Sequence, residues 1–274
     1  MNIEYLSFVK HFQGFLNTNP LWKQEQFGLK QFVIPEIDLT TFTPQPIPQN
    51  LRLGHQIEYI FHQLLEHSNT CDILAHNIQI KKGNDTLGEL DFLIRFRESK
   101  QLLHLELTYK FYIIDPNIPE PIHRLMGPNR KDAFFAKLEK TKQKQLPLVY
   151  SKEGLNVLQT LAIEPSELQQ EVLFLGQLFT PYNTKIPSIT PLNSACIVGF
   201  WIQMHDFESL DFKQYQYYIA PKNAWVHTPH LEVDWISYTD ILTQIAEKHL
   251  QKRTPIVWIK KENDFIDKCF VVWW

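Results

Sequence analysis

Cysteine is scarce in this sequence. The three cysteines, Cys71, Cys196 and Cys269, are odd in number and far apart, and no Cys-x-x-Cys pair occurs. This pattern differs from that of a disulfide framework or a zinc finger. It is typical of a protein from a reducing cytoplasm.

Glycine is also scarce, with 9 residues, and none forms the glycine-rich phosphate loop of a P-loop NTPase or a dinucleotide-binding enzyme. The Gly-x-Ser-x-Gly elbow of serine hydrolases and the His-Glu-x-x-His motif of zinc proteases are absent too. These enzyme classes therefore have no local support in the sequence.

Long apolar runs are missing as well. No stretch approaches the roughly 20 apolar residues that cross a bilayer. The N-terminal segment Met1-Asn2-Ile3-Glu4 lacks the basic start and apolar run of a signal peptide. We therefore expect a cytoplasmic protein with no membrane partner.

What is present is the composition of a globular protein, with 44% apolar and 21% charged residues in a chain of 274. Such a length suits one large domain or two modest ones. A connector rich in proline over 35–50 suggests a boundary. We expect an N-terminal helix and connector over 1–50, a core over 51–150, and an aromatic-rich α/β extension over 151–274 packed on that core.

Hydrophobic periodicity predicts an α/β fold. In the core it predicts a helix over 51–67, strands over 72–81, 87–97 and 102–113, a basic helix over 129–145 and a short strand over 146–150. Outside the core it predicts helices near 3–16, 153–162 and 237–252, and strands near 170–179, 196–204, 215–220, 255–260 and 266–274.

The strands over 87–97 and 102–113 carry the candidate chemistry. A short turn, Glu98-Ser99-Lys100-Gln101, joins them, so we expect antiparallel neighbours. Strict alternation would give each strand one packed face and one mostly polar face. Asp91 and Glu106 would then lie close together on the polar face.

Two neighbouring carboxylates raise each other's pKa, and a hard divalent cation removes that conflict. Mg²⁺ prefers oxygen ligands, usually one or two carboxylates with water and phosphate oxygens. We therefore expect Asp91 and Glu106 to bind Mg²⁺ or Mn²⁺, helped by the backbone carbonyl of Leu107. Lys110, on the same face, would hold the attacking water and steady charge on the phosphate. Glu58, from the preceding helix, would add a ligand or orient a metal-bound water.

This arrangement resembles the PD-(D/E)XK nuclease superfamily, whose core is α-β-β-β-α-β. Its signature is an acid on the second strand followed by Glu-x-Lys on the third. Here Gly88-Glu89-Leu90-Asp91 supplies the first acid, Glu106-Leu107-Thr108-Tyr109-Lys110 the second part, and Gly54-x-x-x-Glu58 is similar to the helical glutamate of many members. The sequence departs at Thr108, which occupies the usual lysine position. Lys110 would substitute from roughly 6–7 Å further along the strand.

The resemblance implies a restriction-endonuclease-like fold and phosphodiester hydrolysis, with Gly54, Gly88, Glu89 and Thr108 in supporting positions. Gly88 would let a neighbouring backbone or a DNA strand come close.

A more specific resemblance, over most of the chain, is to the bacterial family called domain of unknown function 1853. The shared landmarks are Leu53-Gly54-His55 with Glu58, Thr86 to Leu93, Glu106-Leu107-x-x-Lys110-Phe111-Tyr112, Gly127-Pro128-Asn129, Asp132, Lys137 and Gln145-Leu146-x-Leu148.

A basic segment over 124–145 points to a polyanion partner. It has seven basic residues and two acids, so its balance is 7 − 2 = +5 although the whole chain carries −3. Basic side chains beside a carboxylate-metal face would grip phosphates. The candidates for nucleic-acid contact are Arg124, Arg130, Lys131, Lys137 and Lys140. The other interpretation is a solvated face that keeps the protein soluble.

We interpret the chain as a Mg²⁺- or Mn²⁺-dependent nuclease that hydrolyses DNA. Two alternatives stay open. The first is an inactive nucleic-acid-binding module on the same fold, with the displaced lysine marking lost activity. The second is a protein–protein adaptor that works through its aromatic C-terminal half, in which tryptophans could also stack on bases or simply pack in the core.

Overall fold

The computed structural model describes residues 3–48, 50–185, 188–209 and 212–274. The chain begins with helix α1 (Ile3–Leu16), as the sequence predicts. A small hairpin follows, formed by β1 (Glu25–Gln26) and β2 (Leu29–Lys30). The N-terminal segment is therefore ordered against the rest of the protein, since Phe12 and Phe15 of α1 are buried in its core.

The next segment follows the predicted order of one helix and three strands. Helix α2 (Leu53–Ser68) leads to β3 (Cys71–Lys82), β4 (Asp85–Phe96) and β5 (Leu102–Ile114). Helix α2 forms because apolar residues such as Ile57, Phe61 and Leu64 recur on one face, which is buried. The three strands pair in an antiparallel meander.

The predicted strand over 146–150 is wrong. After β6 (Leu125–Met126) the chain forms α3 (Phe134–Lys140), which continues through a π-helical turn (Thr141–Gln145) into α4 (Leu146–Leu148). A short apolar run does not distinguish strand from helix by periodicity. Here Leu146 and Val149, three residues apart, are both buried, as residues on one side of a helix can be.

The remaining elements lie close to their predicted positions, except for the short helix over 204–207, which was not predicted. They are α5 (Lys152–Thr160), β7 (Leu168–Pro181), β8 (Ile197–Gln203), α6 (Met204–Phe207), β9 (Gln216–Ala220), α7 (Tyr238–Leu250), β10 (Ile256–Lys260) and β11 (Ile266–Val272). Short 3-10 turns occur at Pro121–His123, Pro165–Glu167, Ser194–Cys196, Lys222–Val226 and Glu262–Asp264.

Nine strands of the described chain form one mixed sheet in the order β3-β4-β5-β7-β8-β11-β10-β9, with β6 beside one end of β5. Strands β5, β7, β8 and β11 run parallel, and both flanks are antiparallel. The mixed α/β class is therefore confirmed. Strands from both sides of residue 150 share this sheet, and the division of the chain into three parts stays a prediction.

Both faces of β4 and β5 are covered by other parts of the protein. The prediction that only one face of each strand is packed is therefore wrong. Helices α1 and α2 pack on one face, against Phe92 and Leu105. Helix α5 and Val149 cover the other face, against Leu93 and Leu102. The polar residues Asp91, His104, Glu106 and Thr108 of these strands are therefore buried inside the protein. No helix in the described residues is long and apolar enough to cross a membrane.

Candidate metal site in a basic cleft

A cleft opens where β4 and β5 separate. The two strands pair only from Phe92–Arg95 against Leu102–Leu105, and β6 pairs with the same edge of β5 at Ile113 and Ile114. Between these pairings no described strand covers that edge. The opening is a cleft of about 530 Å³, and Leu107 to Phe111 line it.

Asp91 and Glu106 meet at the point of separation. They lie just beyond the last strand pair, and their exposed fractions are 8% and 2%. The N–H of Leu107 donates to Oδ2 of Asp91 over 2.8 Å, and the N–H of Asp91 donates to the Glu106 carboxylate. Because the N–H and C=O of a strand residue point to the same edge, the Leu107 carbonyl faces the Asp91 side. The expected pairing of two carboxylates and this carbonyl is thus geometrically possible.

Burial dominates the ionisation of this pair. Burial raises the pKa of Glu106 to about 7, against the opposing effects of the Lys137 charge and the Asp91 N–H. Burial and then the charge of Glu106 raise the pKa of Asp91 well above its usual range, although the Leu107 N–H favours the ionised form. A cation or a proton between the two groups relieves the cost of burying them as charges.

A chain of amide and imidazole groups holds Glu106 in place. His104 Nε2 lies 3.1 Å from Oε1 of Glu106, and Gln145 Nε2 donates to Oε2 over 2.7 Å. On the far side of the ring, Gln170 Nε2 donates to His104 Nδ1 over 2.9 Å. His104 therefore carries its proton on Nε2 and donates it to Glu106. Burial lowers the pKa of His104 to about 4, so the ring is neutral at physiological pH.

The lysine that approaches the carboxylates is Lys137 of α3, not Lys110. Lys137 Nζ donates to Oε1 of Gln145 over 2.6 Å, and Gln145 in turn binds Glu106. Burial lowers the pKa of Lys137, and the charges of Glu106 and Asp91 oppose that shift. Lys110 Nζ instead lies 2.8 Å from Oδ2 of Asp132 on the cleft wall. From the sequence, Lys137 is predicted to contact nucleic acid, Gln145 is recognised only as part of a family landmark, and Gln170 is not singled out.

The helical glutamate Glu58 stands further out. It binds Nδ1 of His55 at 3.0 Å, and its charge raises the pKa values of Asp91, Glu106 and Glu89. Burial is the larger cause of the raised pKa of Glu89. Glu58 and Glu89 line a separate groove, formed by α2 together with β3 and β4. Their influence on the pair is thus electrostatic in this arrangement.

Two of the four supporting residues, Thr108 and Gly54, lie in the cleft lining. Thr108 is buried and Gly54 is exposed. A Cβ on Gly88 would stand 2.7 Å from Cδ2 of Leu148, so the close neighbour of this glycine is α4.

The five predicted nucleic-acid contacts divide into three groups. Lys131 and Lys137 line the cleft. Arg124 donates to the carbonyl oxygens of Ile118 and Pro119. Arg130 binds Asp115 at 3.2 Å and stacks on Trp274, while Lys140 is exposed at the end of α3. The cleft thus gathers two of the five.

The donor set fits an ion with few protein ligands. No group of three or more His, Cys, Asp or Glu side chains in the described ranges is arranged to hold a metal. Asp91 and Glu106 together with the Leu107 carbonyl supply oxygen atoms only. Mg²⁺ is commonly bound through one or two carboxylates, with water and substrate phosphate completing its shell. The site therefore suits Mg²⁺ or Mn²⁺ and lacks the nitrogen and sulfur ligands typical of zinc.

Comparison with known proteins identifies a family. No curated protein and no solved structure matches the chain. A family model described as Domain of unknown function (DUF1853) matches residues 29–268, a span that includes the cleft and most of the sheet. The chain belongs to this family.

Proposed function

We propose that the protein is a Mg²⁺- or Mn²⁺-dependent nuclease that hydrolyses phosphodiester bonds in DNA. The observation that supports this proposal is the buried pair Asp91 and Glu106, of which Glu106 lies directly before Leu107, a residue that lines the basic cleft. The order α2, β3, β4, β5, α3, β7 is consistent with the α-β-β-β-α-β core of the PD-(D/E)XK superfamily. We propose this restriction-endonuclease-like relationship together with the activity.

Asp91, Glu106 and the Leu107 carbonyl would hold the metal. When bound, the ion supplies a Lewis acid for the scissile phosphate and lowers the pKa of a water molecule. The protein's own contribution is to hold the ligands rigidly. His104 and Gln145 each donate to one oxygen of Glu106 and leave lone pairs of both oxygens available.

Lys137 takes over the role expected of the lysine two positions after Glu106. That position is Thr108, and Lys137 reaches the same region from α3. Its ammonium group would steady negative charge as it develops on the phosphate. Gln145 fixes the ammonium relative to Glu106 through their shared hydrogen bonds. Lys110, bound to Asp132, would contact the nucleic-acid backbone.

One observation favours a non-catalytic nucleic-acid-binding module as the second candidate. Both oxygens of Glu106 already accept hydrogen bonds from the protein. Such a carboxylate could serve mainly to hold the cleft together. In that case the basic cleft would bind nucleic acid and Asp91 would be dispensable for binding.

The test is cleavage of plasmid and of labelled oligonucleotides with Mg²⁺ or Mn²⁺, with EDTA as the metal-free reaction. Asp91→Ala and Glu106→Ala should abolish cleavage. Asp85→Ala, which removes an exposed carboxylate from the same strand, is the matched control and should keep it. Binding without metal-dependent cleavage would favour the module, and cleavage that survives both site substitutions would refute the nuclease site.

A further inference from the structure

The C-terminal half contributes the far end of the same cleft. The 3-10 turn Lys222–Val226 places Lys222 and Trp225 in the cleft lining, together with Phe111 at the end of the open β5 edge. Leu107 and Phe111 are four residues apart, which corresponds to about 13 Å along a strand. The turn therefore lies a short distance from the carboxylate pair. The proposed nuclease mechanism assigns no role to the residues of this turn.

Trp225 is held rigidly and is half-buried. Its indole N–H donates to the Ala220 carbonyl over 3.2 Å. Its ring packs edge-on against Phe111 and Phe270, with centroid distances of 5.4 and 5.2 Å. The buried ammonium of Lys268 donates to the Trp225 carbonyl over 2.6 Å and fixes the turn from below. A fixed aromatic ring in a cleft loses little conformational entropy when a planar group stacks on it.

The charges around Trp225 fit a phosphate backbone. Five basic side chains line the cleft, and Asp132 is the acid among its lining residues; the basic ones are Arg52, Lys110, Lys131, Lys137 and Lys222. Asp132 is already bound to Lys110. The Lys222 ammonium lies 5.9 Å from the centre of the Trp225 ring. The platform thus combines a positive charge with an aromatic surface, the combination that binds single-stranded nucleic acid.

We propose that this cleft binds an unpaired nucleic-acid strand, with one base stacked on Trp225 and the adjoining phosphates on Lys222 and Lys131. This inference rests on the proposed function for the position of the scissile bond, and the binding itself does not depend on it. Only an unpaired base offers its face for stacking, since in a duplex both faces are covered by neighbours. The proposal therefore selects single strands, or frayed ends and flaps, over intact duplex.

The experiment is fluorescence anisotropy with full-length protein in EDTA, so that no cleavage occurs. The probes are an oligothymidylate, an abasic strand of equal length and a blunt duplex. Trp225→Ala should weaken oligothymidylate binding about 5- to 100-fold, the range that one stacked base provides. Trp225→Phe should restore most of the affinity, and the abasic strand should bind wild type about as weakly as the thymidylate binds Trp225→Ala.

Trp235→Ala is the matched control. Trp235 is also half-buried, and the Lys260 ammonium lies 5.9 Å from the centre of its ring, but Trp235 lies outside the cleft lining. This variant should leave binding unchanged. Because Trp225→Ala could disturb its neighbours Phe111 and Phe270, Lys222→Ala provides a second variant. Lys222→Ala should reduce the number of counterions released on single-strand binding by about one, which appears as a shallower slope of log affinity against log salt concentration.

Equal affinity of wild type for the thymidylate and abasic strands would overturn the stacking proposal. So would an equal loss for duplex and single strand in Trp225→Ala, or no binding to any nucleic acid. Binding of a peptide strand along the open β5 edge, unaffected by Lys222→Ala, would point to a protein partner instead. If cleavage fails while Trp225-dependent binding persists, the nuclease proposal is wrong and the stacking proposal stands. If metal-dependent cleavage occurs but binding does not depend on Trp225, the stacking proposal is wrong and the nuclease proposal stands.

Discussion

Backbone N–H groups link Asp91 and Glu106 across the point where β4 and β5 separate. The N–H of Asp91 donates to the Glu106 carboxylate, and the Asp91 carboxylate accepts the N–H of Leu107, the residue after Glu106. These bonds favour the ionised carboxylates, whereas burial and mutual repulsion disfavour them. The pair is therefore held in position by backbone N–H groups, while burial favours a proton or a cation between the two carboxylates.

The first prediction concerns stability as a function of pH in the absence of metal. The folded state raises the pKa of Glu106 from 4.5 to about 7, so it holds a proton that the unfolded chain has already released. The stabilising effect of that proton is complete below pH 4.5 and is lost as the pH rises through 7. In EDTA, wild type should lose roughly 1–3 kcal/mol over this window relative to Glu106→Gln. Urea unfolding at a series of pH values measures it.

The control for this titration is Glu98→Gln, which changes an exposed glutamate on the turn between β4 and β5. Its stability should follow that of wild type at every pH. The burial of Asp91 shifts its pKa in the same direction and adds to the effect. Parallel curves for wild type and Glu106→Gln would mean that Glu106 titrates as an ordinary surface carboxyl, contrary to its burial.

The second prediction separates two lysines. Lys137→Met should reduce the rate of cleavage by about 100-fold or more, because it removes the charge nearest the carboxylate pair. Lys110→Met should reduce it by less than about tenfold, because Lys110 is engaged with Asp132 and its loss affects mainly phosphate contact. Single-turnover rates at saturating Mn²⁺ give the comparison. A larger loss in Lys110→Met would restore the assignment suggested by sequence.

The position of the carboxylate pair could be predicted because it depends on local features. A short turn makes β4 and β5 antiparallel neighbours, and this places Asp91 opposite Glu106. The position of Lys137 could not, because it depends on the rotation of α3. The burial of Phe134 and Leu138 sets that rotation, and a periodic pattern does not specify which part of the sheet they meet.

The roles of the glutamines were missed for a related reason. Gln145 is the last residue of the π-helical turn, and Gln170 lies on β7, far along the chain from its partner His104. In sequence Gln170 has the appearance of a surface glutamine, and the family landmark that contains Gln145 gives no indication of its hydrogen bond to Glu106. A strand was wrongly predicted over 146–150 because a short run of apolar residues can be buried equally well on a helix, as it is here. Long-range packing therefore decided the parts of the site that local periodicity left open.

The third prediction tests the hydrogen-bonded support of Glu106. His104→Leu would leave one Glu106 oxygen without its donor and Gln170 without one acceptor. The free energy of unfolding should fall by about 1–3 kcal/mol. When Gln170→Leu is added, the loss of unfolding free energy should be smaller than the sum of the two single losses, since the second change removes the Gln170 N–H that no longer has His104 as its acceptor. Chemical denaturation of the double-mutant cycle measures the coupling.

His205→Leu, at a histidine whose side chain is 74% exposed, is the matched control and should change stability by no more than about 0.5 kcal/mol. The loss of a donor to Glu106 should also raise the pKa of that carboxyl further. Metal binding at neutral pH should therefore weaken in His104→Leu, and calorimetric titration should show it. Unchanged metal affinity in a folded His104→Leu protein would remove His104 from the site.

The fourth prediction compares two glycines. A Cβ on Gly199 would stand 1.9 Å from the Lys268 carbonyl oxygen, a backbone atom of the adjacent strand that has no room to move. Gly199→Ala should therefore destabilise the sheet by roughly 1–3 kcal/mol or more. A Cβ on Gly54 meets no atom within 4 Å, so Gly54→Ala should raise stability by up to about 1 kcal/mol through helix propensity. Thermal unfolding of the two variants gives the contrast.

Gly54 lies on the wall of the cleft, so the same variant also reports on the ligand. A Cβ on Gly54 meets no protein atom within 4 Å. If nucleic acid lies along the β5 edge and on Trp225, Gly54→Ala removes no contact with it, and the affinity should stay within about twofold of wild type. A folded, more stable Gly54→Ala protein that no longer binds would show that the strand passes against α2 instead. That result would move the path of the nucleic acid from Trp225 to the first turn of this helix.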